Sequence, residues 1–409
     1  MKTKLPKLPD LSQNNFIKHF SLSNKLVAII FAVSTLALVS LLYLTFQKSL
    51  KVQKELGNLG KEKSDLTTSL EQSQKALAEL ENQDQYKINK DLEKEILNIQ
   101  NTYKKAVDVY EDLLDLKTKT KDTEKLDDSL AKVFTLLSKR DYESAESELA
   151  SLSTEIKKQE DAIASTFKIP ENVPASNTPP GSGYSRQSVT TDAGTFLVSM
   201  VAANLSSTKV IVDTASDSNC SDNCPVLSLA EYISRNGAFA GINGSYFCPA
   251  SYPSCAGKTN SFDLLVMNYK KTYFNSDNNV YSSNPAVIFG DGYVRFVSSA
   301  SEWGRDTSPY GVLSNYPLLL MNSEIKFSGG GDDKSVAKGG RSFVANKGGT
   351  IYIGVVFSAT IAESAKAMKS LGFENALNLD DGGSTALWSG GYKAGPGRNI
   401  PNAILFVGK

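Results

Sequence analysis

Histidine is almost missing from this 409-residue chain, and its one copy, His19, precedes the long apolar run near the N-terminus. No imidazole downstream can then serve as general base, general acid or metal ligand. That excludes Ser-His-Asp triads and histidine-ligated zinc sites from the rest of the chain. Net charge is lacking as well: 44 Lys and Arg cancel 44 Asp and Glu, so the basic footprint of a nucleic-acid binder is missing and that class is set aside. Proline is absent from residues 48–168, which removes the commonest interruption of a helix there. Cysteine is scarce, and Cys220, Cys224, Cys248 and Cys255 all fall in one short window. Such a cluster suits two disulfides in an oxidising compartment, most simply between near neighbours within each half, although four cysteines permit three pairings. A four-thiolate zinc site is the competing reading, disfavoured because C-x3-C and C-x6-C are not ribbon spacings. Metal content stays open.

What is present divides the chain into unlike materials. Residues 1–25 form a short cytoplasmic tail. Residues 26–47 are uncharged and mostly apolar, long enough as a helix to cross a hydrocarbon core of about 30 Å. The run exceeds an ordinary signal-peptide core and no small-x-small cleavage site follows Leu44, so an uncleaved transmembrane signal-anchor is expected. Lysines flank it on both sides, and the positive-inside rule does not orient it. The clustered cysteines do, because disulfides require the downstream side to be extracytoplasmic.

Residues 48–168 are crowded with Lys, Glu, Gln and Leu and read as an α-helical coiled-coil or bundle stalk. Leu59, Leu66, Leu70, Leu77 and Leu80 recur along a seam, which offers a surface for self-association. Leu92, Ile96, Ile99, Tyr103, Val107, Tyr110 and Leu114 form a second stripe with helical spacing. A break near residues 120–123, then helices over 122–139 and 141–158 with Asp141 as N-cap, predict a small antiparallel bundle. These apolar residues are read as core, and no chemistry is assigned to them. Residues 169–187 carry Pro170, Pro174, Pro179, Pro180, Gly181 and Gly183, the composition of a linker.

Residues 188–409 read as an α+β domain with a mixed or mostly antiparallel sheet. Residues 196–205, 210–212, 286–289, 293–297 and 351–357 have the β-branched and aromatic enrichment of strands. Gly290-Asp291-Gly292 and Lys347-Gly348-Gly349 are hairpin turns. One helix lies near residues 227–235. Another is opened by Thr360 with Glu363 at capping-box spacing and stopped by Gly372.

The most informative segment is Phe373 to Trp388, FENALNLDDGGSTALW. A strand delivers Asp380 and Asp381 to a Gly382-Gly383-Ser384-Thr385 turn, where glycines let backbone N–H groups approach an anion. A D-G-G turn alone equally closes an ordinary hairpin. It has company in Gly241-Ile242-Asn243-Gly244-Ser245-Tyr246-Phe247, in Gly340-Arg341-Ser342-Phe343, and in Gly395-Pro396-Gly397-Arg398-Asn399-Ile400-Pro401-Asn402.

In this order the four segments resemble the phosphodiester glycosidase family, over roughly residues 188–409. The best-known member removes N-acetylglucosamine from a phosphodiester to uncover mannose 6-phosphate. The resemblance implies a catalytic set of Asp380, Asn243 and Arg341, with Gly382, Gly383, Ser384 and Arg398 binding substrate. Two departures stand out. Ser245 replaces a usual glycine, and Asp381 replaces the first glycine of the family's triplet. An added carboxylate can repel phosphate and alter or disable the site, or it can help Asp380 hold a divalent cation. No cofactor is otherwise required. On an extended strand Asp381 faces away from Asp380, and its replacement by Gly is expected to be tolerated or even to raise activity.

The chemistry does not need histidine, since a phosphodiester is already a good leaving group. Arg341 and Arg398 would clamp its non-bridging oxygens. Asp380 would activate water, attack the anomeric carbon or stabilise an oxocarbenium-like transition state, three roles that remain open. The expected function is cleavage of a sugar–phosphate bond in a phosphorylated surface glycan. The alternative is a non-catalytic glycan-binding or cell-envelope scaffold module.

Overall fold

A computed structural model describes residues 24–275, 282–330 and 333–409. All but the last two residues of the expected cytoplasmic tail lie outside that range. The chain divides into two compact units, Met1–Lys94 and Glu95–Lys409. The division therefore falls within the helical region rather than in the Pro-rich segment.

The first unit is built on α1, Asn24–Glu81. It is the one described helix long and apolar enough, by length and composition, to cross a membrane. Along its apolar part the hydroxyls of Thr35, Ser40 and Thr45 donate to carbonyls three or four residues back, so these polar groups find partners inside the helix. A turn after Glu81 separates α1 from α2, Asp84–Lys119, a break that the uniform composition did not announce.

In the second unit the end of α2 packs with α3, Glu124–Ser138, and α4, Tyr142–Thr166. Leu113, Leu116, Leu126, Leu130, Val133, Leu137, Leu149, Leu152 and Ile156 form their core. The expected bundle is present, and Asp141 caps α4 by accepting from Ser144 N at 3.2 Å. The buried face of α2 is Thr102, Ala106, Val109, Leu113 and Leu116, one residue away from the expected stripe through Tyr103, Val107, Tyr110 and Leu114. One residue rotates a helix by about 100°, and that shift turns Leu114 and Asp115 away from the bundle core.

Three sheets follow, and every ladder between named strands is antiparallel. The largest joins β1 (Gly183–Thr191), β2 (Gly194–Asn204), β10 (Leu318–Met321), β11 (Glu324–Ile325), β12 (Gly339–Lys347), β13 (Thr350–Ala359) and β14 (Asn375–Asn378), in the order β1-β2-β13-β12-β14-β10-β11. Strand β1 begins at Gly183 and pairs with β2 along its whole length, so the domain reaches back into the segment read as linker. A second sheet, β16-β15-β4-β17-β3, joins β3 (Thr208–Thr214), β4 (Ala240–Asn243), β15 (Leu387–Ser389), β16 (Tyr392–Ala394) and β17 (Asn402–Gly408). A third, β6-β5-β9-β7-β8, joins β5 (Val266–Met267), β6 (Tyr273–Phe274), β7 (Ala286–Phe289), β8 (Val294–Val297) and β9 (Gly311–Ser314).

Alternation along the strands builds two cores at once. Val198, Met200 and Ala202 of β2, with Phe343 and Ala345 of β12, pack against the helix Ile361–Ser370. Val201, Ala203 and Val344 point the other way, toward Val212, Ile242, Phe289 and Ile404 of the other sheets. The expected capping box of Thr360 with Glu363 forms, and a second, Ser228 with Glu231, opens the helix Leu229–Asn236. The cysteines are bonded as Cys220–Cys224 and Cys248–Cys255, the near-neighbour pairing, so no thiolate set remains for zinc.

Candidate active site

Strand β14 ends at Asn378, and the chain then passes through Leu379, Asp380 and Asp381 into a short turn, Gly382–Ser384. Gly382 takes the left-handed conformation, φ +58°, which glycine adopts without strain. Two bonds tie Asp380 to the end of β4: its N–H donates to Gly244 O at 2.9 Å, and its carbonyl accepts from Asn243 Nδ2 at 2.6 Å. Asn243 Oδ1 accepts from Ser342 Oγ at 2.9 Å and from Ala386 N at 3.0 Å. Asn243 is fully buried, and these bonds occupy both ends of its amide. Its amide is thereby committed to bracing Asp380 from behind.

Arg341 likewise sits behind the site. Nε donates to Ala359 O at 3.0 Å, Nη2 to Lys334 O at 2.8 Å and to Ala337 O, and Nη1 to Asp381 Oδ2 at 3.1 Å. The two charged side chains are 7% and 8% exposed. A guanidinium so committed has no fork left for a phosphate, so the phosphate-clamp role expected of Arg341 does not fit its geometry. Asp381 also accepts from Ser342 N and Asn378 Nδ2, each at 2.9 Å. Burial pushes its carboxyl up while Arg341, Asn378 and Ser342 pull it back. Asp381 is therefore the counter-ion of a buried arginine, rather than a free carboxylate facing away from the site. Its positive partner is Arg341, which supplies the charge a cation would otherwise bring.

Asp380 differs from its neighbour in its partners. No described arginine is hydrogen-bonded to it as Arg341 is to Asp381, its Oδ1 accepts from Asp381 N at 2.9 Å, and its carboxyl is pushed up to about 7. Burial is the main cause and Asp381 adds to it, while a Ser384 hydrogen bond and the charge of Arg398 oppose it. A carboxyl that ionises near neutral pH beside a cation is equipped for proton transfer or nucleophilic work.

Arg398 lies across the glycine turn. Its N–H donates to Gly383 O at 2.8 Å, and a Cβ on Gly383 would fall 2.1 Å from Arg398 Nη2. Only glycine leaves room for the guanidinium there. Gly382, Gly383 and Arg398 line a cavity of about 760 Å³ with Gly340, Thr385 and Phe357. The opposite wall is helical, made by Leu114, Asp115 and Thr118 of α2. Asp115 Oδ1 stands 3.4 Å from Arg398 Nη2, and Asp115 Oδ2 accepts from Tyr252 Oη at 2.5 Å. Glu111, one turn earlier, accepts from Ser254 N at 2.9 Å.

The predicted residues thus separate into two layers. Asp380, Gly382, Gly383, Ser384 and Arg398 gather at one turn, while Asn243, Arg341 and Asp381 hold that turn from behind. Sequence reasoning did not single out Tyr246 and Asn378, although both lie inside the quoted motifs. Asn378 Nδ2 donates to Tyr246 Oη at 2.9 Å as well as to Asp381, and burial raises the Tyr246 pKa so that it stays protonated. Asp115 carried no local signal at all.

Residues 236–407 match the family model described as phosphodiester glycosidase. The match begins after β3 and contains all four motifs. No curated protein matches the chain. Among solved structures, similarity extends to the catalytic domain of zebrafish N-acetylglucosamine-1-phosphodiester alpha-N-acetylglucosaminidase, auto-inhibited by its pro-peptide, at 17% identity and TM-score 0.43, over 57% of this chain and 85% of that one. A hypothetical protein from Synechocystis aligns at 14% identity and TM-score 0.40, over 55% of this chain and 62% of that one, so less than two thirds of its length is spanned. A putative exported protein from Burkholderia pseudomallei aligns at 12% identity and TM-score 0.36, over 52% and 74%.

Proposed function

We propose that this chain is a membrane-anchored phosphodiester glycosidase whose C-terminal domain is extracytoplasmic and hydrolyses the sugar–phosphate bond of a glycosyl phosphodiester in a surface glycan. The observation that carries the reading is that Asp380 leads into, and Arg398 lies across, one glycine turn whose Gly382 and Gly383 line a cavity with Arg398, within a family-matched domain. Arg398 would hold the phosphate and Asp380 would act at the anomeric carbon. Water supplies the hydroxyl that ends on the sugar, the anomeric C–O bond breaks, and the phosphate leaves as a monoester. The apolar part of α1 and the two disulfides support anchoring and an oxidising surrounding.

The test is release of free sugar from a synthetic sugar-1-phosphodiester. Turnover is expected, with a rate that rises with pH through about 7, because that is where Asp380 ionises. Well below that value kcat/KM should fall about tenfold per pH unit. A flat profile would remove Asp380 from the chemistry, and binding without turnover would favour the non-catalytic module.

Asp115 makes a second measurement informative. A phosphate arriving at Arg398 must share or displace the Asp115 carboxylate, and the pair is part-exposed. Asp115→Asn should therefore lower KM for the phosphodiester by about two- to fivefold, the worth of a solvated ion pair, with kcat little changed. A raised KM would instead make Asp115 the residue that orients Arg398 for substrate.

A further inference from the structure

The C-terminal half of α1 carries an apolar stripe with no partner among the described residues of its own unit. Val52, Leu56, Leu59, Leu66, Leu70, Leu77 and Leu80 are between 50% and 66% exposed. Their positions, together with Lys63 and Ser73, follow a strict alternation of four and three residues from 52 to 80. That is a heptad seam, with Leu56, Lys63, Leu70 and Leu77 at a and Val52, Leu59, Leu66, Ser73 and Leu80 at d. The rest of the surface is polar, and the helix contains Gly57, Gly60, Thr67 and Thr68, residues of low helix propensity. Such a segment is not held helical by its own preferences, so burial of the seam must contribute.

We infer that α1 forms a parallel, in-register two-stranded coiled coil with a second copy of this chain through residues 52–80. A 3.5-residue repeat is what a supercoiled helix of the same pitch covers, whereas a globular groove demands the wider stripe of a 3.6-residue period. Lys63 at an a position favours the in-register dimer. Sliding by one heptad would set it against Leu56 or Leu70, and in register it lies beside Glu62 at the partner's preceding g position. No g-to-e' pair between parallel strands brings like charges together, since Glu55, Glu62, Ser69 and Ala76 face Gly60, Thr67, Gln74 and Glu81. The parallel sense also rests on the proposed membrane anchor, which places both N-terminal ends of the seam at one surface.

The test uses the full chain in detergent. No described cysteine is free, so one introduced thiol reports on a single position. Wild type should have twice the 44.2 kDa chain mass by light scattering corrected for detergent. Leu59→Cys and Leu80→Cys should each give a disulfide-linked dimer on oxidation, while Lys61→Cys, at the outward f position, should not. The double variant Leu66→Lys/Leu70→Lys should be monomeric with unchanged Cys248–Cys255 bonding and sugar release. A monomeric wild type, or a trimer, overturns the proposal. A dimer in which neither Leu59→Cys nor Leu80→Cys cross-links is antiparallel and overturns its sense. Retention in the membrane pellet after alkaline washing is scored separately, so a membrane-bound monomer sinks the coiled coil alone and a soluble dimer sinks the anchor alone.

Discussion

Asp380→Asn is expected to lower kcat on a sugar-1-phosphodiester by about 10³-fold, within the range that a positioned acid, base or nucleophile contributes, while thermal stability and phosphate affinity stay close to wild type. Asn keeps the oxygen that accepts from Asp381 N, and the two backbone bonds to Asn243 and Gly244 do not involve the side chain. The turn should hold its shape. Arg398 and Gly383 are untouched, so a phosphate retains its anchor, and the loss should fall on kcat rather than on KM. The pH dependence through about 7 should disappear from whatever residual rate remains. A variant within threefold of wild type would show that the carboxyl held beside Arg398 is not the reacting group, whatever its altered ionisation.

Much of this arrangement was legible in the sequence because it is local. The capping box at Thr360, the turn at Lys347-Gly348-Gly349 and the near-neighbour disulfides depend on residues a few positions apart. The Asp380-Gly382-Gly383 turn was legible for the same reason. What escaped depends on lateral order. Arg341 meets Asp381 because β12 pairs with β14, Phe343 opposite Asn378, and nothing in either segment announces that pairing. Arg341 was read as a phosphate clamp because an arginine in a motif looks the same whether it faces ligand or core. Asp115 is farther still from its partner Arg398, 283 positions away in the chain. It faces the cavity because the α2 core runs through Leu113 and Leu116 rather than through Leu114. A one-residue error in choosing a helix face conceals such a contact completely.

Asp381→Gly, which puts glycine where the resembled motif begins its triplet, is expected to destabilise the domain by about 3–5 kcal/mol, the usual cost of leaving a buried charge unpaired. The reason lies in what the carboxylate accepts. Arg341 Nη1, Asn378 Nδ2 and Ser342 N all donate to it; with glycine there Asn378 keeps Tyr246 Oη and Leu379 O, but Arg341 Nη1 and Ser342 N lose their acceptor in a place water scarcely reaches. The backbone at 381 is extended, φ −125° and ψ −176°, so glycine's conformational freedom brings no relief there. Arg341→Met, which leaves Asp381 with its two neutral donors, should also destabilise. The two changes share one ion pair, so the double variant Arg341→Met/Asp381→Gly should lose clearly less than the sum of the single losses, a coupling of about 1 kcal/mol or more. Denaturant unfolding of the four proteins, with parallel slopes, measures all of this. A loss below about 1 kcal/mol for Asp381→Gly, or strict additivity, would mean that Arg341 finds another partner when Asp381 is gone. In that case the aspartate would be a dispensable addition to the glycine turn rather than the counter-ion that lets Arg341 stay buried behind Asp380.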